Sequence, residues 1–88
     1  MSTWSVEFKP SAYREFARLE PAVKRRLTPA IEALQQDSRP QGAKRLSKSD
    51  NLWRIRVGSY RIVYTIQDDR LIVLVVRLGH RRDVYRRL

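Results

Sequence analysis

The chain of 88 residues is long enough for one hydrophobic core, and its hydrophobic content of 42% excludes intrinsic disorder, so we expect a single domain spanning residues 1–88. It contains no cysteine and one histidine, which excludes disulfides and thiolate-bound zinc, and we expect no metal site and no cofactor. The formal net charge of +10 has the sign expected of a surface that meets phosphates, although a basic surface without a partner is the alternative.

The N-terminal part predicts a strand followed by a helix. Residues 3–8 alternate with period two, which puts Trp4, Val6 and Phe8 on one face of a short strand. Ser11 is a favourable N-cap for the helix that follows, in which apolar residues recur at helical spacing.

A second helix is expected from Pro21, which suits the first turn of a helix. Pro29 lies inside this helix, but the apolar stripe keeps its register across the proline, so we predict one kinked helix rather than two. The stripe consists of Val23, Leu27, Ile31 and Leu34. Residues 37–43, with a proline and a glycine, predict a loop.

The rest of the chain predicts three strands and a tail. Residues 52–57 and 60–67 alternate on either side of the turn Gly58–Ser59, and residues 71–78 are apolar on both faces, as in a central strand. The apolar run 71–76 is far shorter than the ~20 residues of a membrane span, and no signal segment is recognisable, so we expect a cytoplasmic protein that does not contact membranes.

The expected fold is therefore α+β, with the order β-α-α-β-β-β and a short C-terminal helix or tail. Two helices would pack on one face of a four-stranded, mainly antiparallel sheet. Trp4, Trp53, Tyr60 and Tyr64 are interpreted as packing residues because they fall on inward faces of the strands.

The positive charge is concentrated in the second half of the chain. Residues 44–88 hold twelve basic and four acidic residues, against seven and five in residues 1–43. If alternate residues of strand 52–57 face the core, Arg54 and Arg56 point the other way, about 7 Å apart, and Arg61 can join them. A tail folded over this face would add His80, Arg81, Arg82, Tyr85, Arg86 and Arg87. Such a surface suits a nucleic-acid backbone with an unstacked base.

Two blocks of sequence carry a family resemblance. LWRIRVGSYRIVY at residues 52–64 and VVRLGHRRDVY at residues 75–85 resemble the RelE branch of the RelE/ParE toxin superfamily, and the match covers essentially the whole chain. The resemblance implies a RelE-like fold and a toxin of a type II toxin–antitoxin system. It implies an mRNA interferase: a ribosome-dependent endoribonuclease that cuts mRNA in the ribosomal A site by attack of a 2′-hydroxyl group on the adjacent phosphate, without a metal. The implied partners are a cognate antitoxin, mRNA and the 30S A site with its ribosomal RNA.

The resemblance also implies the catalytic residues. By motif position they fall on Arg54, Arg56, Arg61, Arg81 and Tyr85, with Arg82 as the competing match for Arg81. Members of the family often carry lysines where this chain has Arg54 and Arg56. Since an arginine does not lose its proton at physiological pH, these two residues are expected to bind the phosphate rather than to act as the general base.

Proton transfer is assigned to His80, the one side chain whose ordinary pKa lies near neutrality. Tyr85 would stack on a base, and Arg81 would stabilise the leaving 5′-oxygen. The alternatives are a turn-capping or phosphate-binding role for His80, a solvated strand face for Arg54 and Arg56, and packing or antitoxin contact for Tyr85. Lys44, Arg45, Lys48, Arg82, Arg86 and Arg87 are expected to bind RNA or the ribosome without taking part in chemistry.

Two other functions fit the same pattern. A ParE-like inhibitor of DNA gyrase would share the fold and the antitoxin, although the basic strand and the tail tyrosine argue against it. A non-catalytic nucleic-acid-binding relative is the third possibility, because the strand lysines are absent.

Overall fold

Five strands and two helices make up the fold in the computed structural model, which describes residues 4–48 and 50–80. The elements, in chain order, are β1 (Ser5–Phe8), α1 (Pro10–Ala17), α2 (Pro21–Ala33), β2 (Lys44–Ser47), β3 (Leu52–Val57), β4 (Tyr60–Gln67) and β5 (Ile72–His80). The strands form one sheet in the order β1-β5-β4-β3-β2. The β1 strand is parallel to β5, and the other three pairs are antiparallel. The α+β class with two helices packed against a mainly antiparallel sheet is thus confirmed.

The prediction of four strands was one strand short. The missed strand β2 has four residues, KRLS, and no apolar alternation, and three of its residues are exposed. Its pairing with β3 is interrupted by a register shift between Arg45 and Ser47. A short, charged and irregular strand is typical of a protected sheet edge. The partner strand β3, rather than the pattern of β2 itself, fixes its conformation.

The start of α1 differs from the prediction, whereas the continuity of α2 agrees with it. The α1 helix begins at Pro10, with Lys9 at the N-cap and no capping side-chain hydrogen bond, so the N-cap prediction for Ser11 was wrong. A proline suits the first helical position because the N–H group it lacks would have no partner within the helix. Pro29 lies within the continuous helix α2, which confirms the prediction of one helix.

The core lies between the helices and one face of the sheet. Residues from α1 and α2 meet the inward side chains of the three central strands there. The buried cluster consists of Ala12, Leu27, Ile31, Leu34, Ile55, Ile62, Tyr64, Ile66, Val73, Val75 and Leu78. Trp4, Trp53 and Tyr60 pack against this cluster, as the sequence predicts. The opposite face of the sheet carries no helix among the described residues, and we call it the open face.

Glu15 of α1 closes the part of β5 that β1 does not cover. The register of β1 with β5 ends at Phe8 and Val75, although β5 continues to His80. Beyond that point the Leu78 backbone N–H donates a hydrogen bond to Glu15 Oε1 at 3.3 Å, and Arg77 lies 3.8 Å from the same carboxylate. The helix therefore holds the end of the strand in place.

Tyr64 links the core to the loop that follows α2. Its side chain is fully buried, and its hydroxyl group donates a 2.8 Å hydrogen bond to the Ser38 carbonyl oxygen. Burial raises the pKa of Tyr64 to about 12, while Arg39 lowers this pKa and Asp37 raises it by smaller amounts. The described part of the chain contains no helix long and apolar enough to cross a bilayer.

We expect Tyr64→Phe to lower the free energy of unfolding by about 1–2 kcal/mol at pH 8, because the Ser38 carbonyl group loses its buried donor. The folded chain resists ionisation of Tyr64, so this residue's contribution is complete below pH 10 and is lost as the pH rises from 10 to about 12. The cost of Tyr64→Phe should therefore shrink by about 1 kcal/mol between pH 9 and pH 11 in urea unfolding. Tyr13→Phe, at a 61% exposed position, is the control. A pH-independent cost would contradict the assignment.

Candidate nucleic-acid interface

The hairpin formed by β3 and β4 brings two arginines face to face. Val57 pairs with Tyr60 across a two-residue turn, in which Gly58 adopts a φ of +61° that favours glycine. The next pair along the ladder is Arg56 opposite Arg61. Residues directly opposite one another share a face, so both side chains belong to the open face. The hairpin sequence 52–67 contains three arginines and no acidic residue.

This arrangement is electrostatically unfavourable for the free protein. The Cβ atoms of residues directly opposite each other lie about 4.5–5.5 Å apart, and like charges there destabilise a sheet. No acidic side chain in the described part of the chain forms an ion pair with Arg56 or Arg61. The pair therefore favours a bound anion.

Arg61 adds a second unfavourable feature. Its side chain is on the open face, yet the residue is only 8% exposed. Its Nε atom is buried and has no hydrogen-bond partner among the described residues. A buried, unsatisfied donor is costly, and a donor of a guanidinium group is best satisfied by an oxyanion.

Arg54 and Lys44 continue the cationic set along the same face. Lys44 of β2 pairs with Arg54 of β3, which pairs in turn with Val63 of β4. Arg54 is 5% exposed, so a solvated strand face describes Arg56, which is exposed, and does not describe Arg54. The expected placement of Arg54, Arg56 and Arg61 on one face agrees with the register.

His80 lies on the other face of the sheet. It is the last residue of β5 rather than part of a tail, and it pairs with Tyr60, whereas Gly79 pairs with Arg61. The rings of His80 and Tyr60 meet edge to face with their centroids 5.8 Å apart. Because side chains alternate along a strand, His80 follows Tyr60 to the side that carries the helices. The expectation that His80 joins Arg61 on the open face was therefore wrong.

The structure describes some of the other expected binding residues and leaves the rest undescribed. Arg45 does not face the open side: its guanidinium lies 5.3 Å from the Trp53 ring centroid and donates to Asn51 Oδ1 at 3.2 Å. Lys48 is exposed in the turn after β2. The remaining expected residues lie outside the described residues; they are Arg81, Arg82, Tyr85, Arg86 and Arg87.

Arg26 is a further cation of this region, and its position has no signal in the sequence. Arg26 is an exposed residue of α2 whose guanidinium lies against Gly58. A Cβ atom built on Gly58 would be 2.6 Å from Arg26 Nη2. No sequence pattern could reveal this contact, because it depends on how α2 is placed over the hairpin turn.

Neither the cavities nor the acidic groups of the described residues offer another chemical centre. An apolar cavity of about 280 Å³ lies between β1 and the two helices, with Phe8, Phe16 and Ile31 in its lining. Within the same residues, no cluster of three or more His, Cys, Asp or Glu side chains could hold a metal ion.

We expect Arg56→Gln to raise the free energy of unfolding by about 0.2–1 kcal/mol at low ionic strength, because it removes one charge of an opposed pair. Salt should shrink this gain by screening the repulsion. Arg70→Gln, at an exposed turn position beyond the far end of β4, is the matched control. Urea unfolding at 10 mM and 300 mM NaCl provides the measurement, and a destabilised Arg56→Gln variant would contradict the expectation.

Comparison with known proteins identifies the family. Residues 6–85 match the family model described as the ParE toxin of the type II toxin–antitoxin system, parDE. Toxin RelG of Mycobacterium tuberculosis is 28% identical over 85 residues, covering 96% of this chain and 98% of the relative. The putative toxin RelE1 of Methanocaldococcus jannaschii is 26% identical over 86 residues, covering 94% and 96% of the two chains.

Solved structures support the same fold. The Pyrococcus horikoshii RelE–RelB complex contains a chain with a TM-score of 0.80 and 21% identity, covering 93% of this chain and 99% of that one. The isolated Escherichia coli RelE toxin gives a TM-score of 0.78 and 23% identity, covering 88% and 83%. At these identities the structures establish the fold alone. The solved structures show that the fold is RelE-like, and the family match shows that the chain belongs to the ParE toxin family of type II toxin–antitoxin systems, within the RelE/ParE superfamily.

Proposed function

We propose that this toxin is an endoribonuclease that cuts mRNA in the A site of the translating ribosome and thereby inhibits translation. The observation that carries the proposal is the Arg56–Arg61 pair, in which a nearly buried guanidinium with an unsatisfied Nε faces a second arginine. Two adjacent guanidinium groups match the oxygens of a phosphate, with geometry that lysine does not provide. The RelE1 name of the Methanocaldococcus jannaschii relative supports the same activity.

The proposed reaction is an internal transesterification of the RNA. The 2′-oxygen attacks the adjacent phosphorus and loses its proton to a base, while the bond from phosphorus to the 5′-oxygen breaks. The 5′-oxygen takes up a proton, leaving a 2′,3′-cyclic phosphate and a 5′-hydroxyl end. Negative charge grows on the non-bridging oxygens as the bond to phosphorus forms. Arg56 and Arg61 would stabilise that charge, with Arg54 as a further cation on the same face.

The remaining roles are assigned to His80, to Lys44 and to residues that lie outside the described part of the chain. His80 would transfer protons from the helix side of the hairpin, so the RNA would have to pass around the end of the sheet to meet both His80 and Arg61. Arg81, or Arg82 in its place, would stabilise the leaving 5′-oxygen, and Tyr85 would stack on a base. Lys44 would add a phosphate contact on the open face, and ribosomal positioning would supply much of the remaining acceleration.

A cognate antitoxin is the second proposed partner. The Pyrococcus horikoshii and Mycobacterium tuberculosis structures similar to this chain are complexes of a toxin with its antitoxin. A net charge of +10 and the pair of Arg56 and Arg61, with which no acidic side chain in residues 4–48 or 50–80 forms an ion pair, favour an antitoxin segment that carries carboxylates across the open face. Such a segment would compete with RNA for the same guanidinium groups.

Inhibition of DNA gyrase is the competing function, because the matching family model describes ParE toxins. The two functions differ in their product. A nuclease leaves cut messages, whereas a gyrase inhibitor leaves intact messages and trapped or inactive gyrase.

Primer extension on a message translated in vitro should reveal cuts at the A-site codon that depend on the toxin. Arg61→Gln should slow the cutting by about 10²–10³-fold, the usual effect of losing a donor that stabilises a developing oxyanion. Arg70→Gln should cut at the normal rate, and thermal unfolding should show that both variants fold. Intact messages together with inhibited supercoiling by gyrase would replace the proposal with the ParE-like function.

His80→Gln tests proton transfer separately from phosphate binding. If His80 exchanges protons with the RNA, the single-turnover cleavage rate should fall by about 10²-fold. Affinity for RNA should change little, because glutamine keeps polar contacts at this position. Nearly normal cleavage by the variant would remove His80 from the chemical step.

A further inference from the structure

Arg26 occupies a defined position at the hairpin turn. A Cβ atom on Gly58 would lie 2.6 Å from Arg26 Nη2, 3.5 Å from Cζ and 3.8 Å from Nη1. The Nη2 end of the guanidinium group therefore lies against the glycine, and a Cβ atom at this position would require the group to shift. The absence of a side chain at Gly58 serves two purposes, since the φ of +61° also favours glycine.

No residue in the described part of the protein neutralises the charge of Arg26. Arg26 is exposed and forms no ion pair or side-chain hydrogen bond with any residue in 4–48 or 50–80. By contrast, Arg39 is paired with Asp68 at 3.1 Å, and Arg77 lies 3.8 Å from Glu15. The α2 helix thus delivers an unneutralised cation to the turn between two strands that already carry Arg56 and Arg61.

The order of the cations along the hairpin suits successive phosphates of one strand of RNA. Gly58 follows Arg56 by two residues, in the turn that joins the strands of Arg56 and Arg61. Arg56 and Arg61 occupy the open face, whereas Arg26 reaches the turn from the side of the helices. The three guanidinium groups therefore mark a path that leaves the open face, crosses the turn and continues toward α2.

We propose that Arg26 binds the backbone phosphate adjacent to the one held by Arg56 and Arg61, so that the RNA strand crosses the β3–β4 turn. This inference rests on the proposed function and extends it, since it assigns a second phosphate position and a direction to the bound strand. It also brings the RNA to the side of the sheet on which His80 lies. Arg26 is a binding residue in this proposal and takes no part in the chemical step.

Salt dependence separates a phosphate contact from a purely structural role. The probe is a single-stranded hexanucleotide with 2′-fluoro sugars, which cannot be cleaved by attack of a 2′-oxygen. The slope of log K against log salt should decrease in magnitude by about 0.7 in Arg26→Gln, the contribution of one phosphate of single-stranded nucleic acid. The Kd at low salt should rise roughly fivefold. Arg25→Gln is the matched control: it removes the same charge from the adjacent exposed position of α2 and should leave the slope unchanged.

A second variant tests the contact between the Arg26 guanidinium and Gly58. Gly58→Ala places a Cβ atom 2.6 Å from Arg26 Nη2, so the guanidinium must shift, and the Kd should rise, but by less than in Arg26→Gln, because the charge remains near the turn. In the Arg26→Gln background the same change should have little further effect, because the contact is already lost. Thermal unfolding of each variant identifies any loss of folded protein, since alanine at a φ of +61° is strained.

The outcomes distinguish the role proposed for Arg26 from the proposed nuclease function. Equal salt slopes for Arg26→Gln and Arg25→Gln, with intact cleavage of translated mRNA, would overturn the role of Arg26 and leave the nuclease function standing. Additive effects of Gly58→Ala and Arg26→Gln would also overturn it. Absence of salt-dependent binding by the unmodified chain, together with absence of cleavage, would overturn both.

Discussion

The proposed site depends on two guanidinium groups of like charge that the sheet holds close together. The hairpin ladder fixes Arg56 opposite Arg61, and the Nε atom of Arg61 is buried with no hydrogen-bond partner in residues 4–48 or 50–80. Both features destabilise the free chain, yet the sheet holds them in place because the neighbouring pair Ile55–Ile62 anchors the same ladder in the core. Strain of this kind is typical of a preorganised binding site, in which the ligand supplies the missing charge.

The residues of the proposed site lie on both faces of the hairpin. The cations proposed to contact the scissile phosphate belong to the open face, whereas Tyr60 and His80 belong to the face that carries the helices. The turn at Gly58, with Arg26 seated on it, lies between them. A strand of RNA that wraps the end of the sheet would meet all of these groups, and a strand lying flat on the open face would meet only the first set.

The sequence predicts the central strands and the faces of their side chains well, because period-two alternation is a direct consequence of strand geometry. The same rule fails for β2, where charged residues and a register shift hide the pattern. The alternation rule assigns His80 to a face of the sheet only when β5 is known to extend to His80. A strand that ends at Leu78, as predicted, leaves the orientation of His80 undetermined. Contacts between elements, such as Glu15 with Leu78 and Arg26 with Gly58, have no local signal and follow from the packing of the helices.

The most direct test of a phosphate held between Arg56 and Arg61 is to observe the buried Nε–H group itself. We expect the ¹H–¹⁵N resonance of Arg61 Nε to shift, and its hydrogen exchange with water to slow, as the 2′-fluoro hexanucleotide is added to the labelled toxin. The resonance should be assigned by its loss in Arg61→Gln. Saturating binding of the oligonucleotide that leaves the Arg61 resonance and its exchange unchanged would contradict the account.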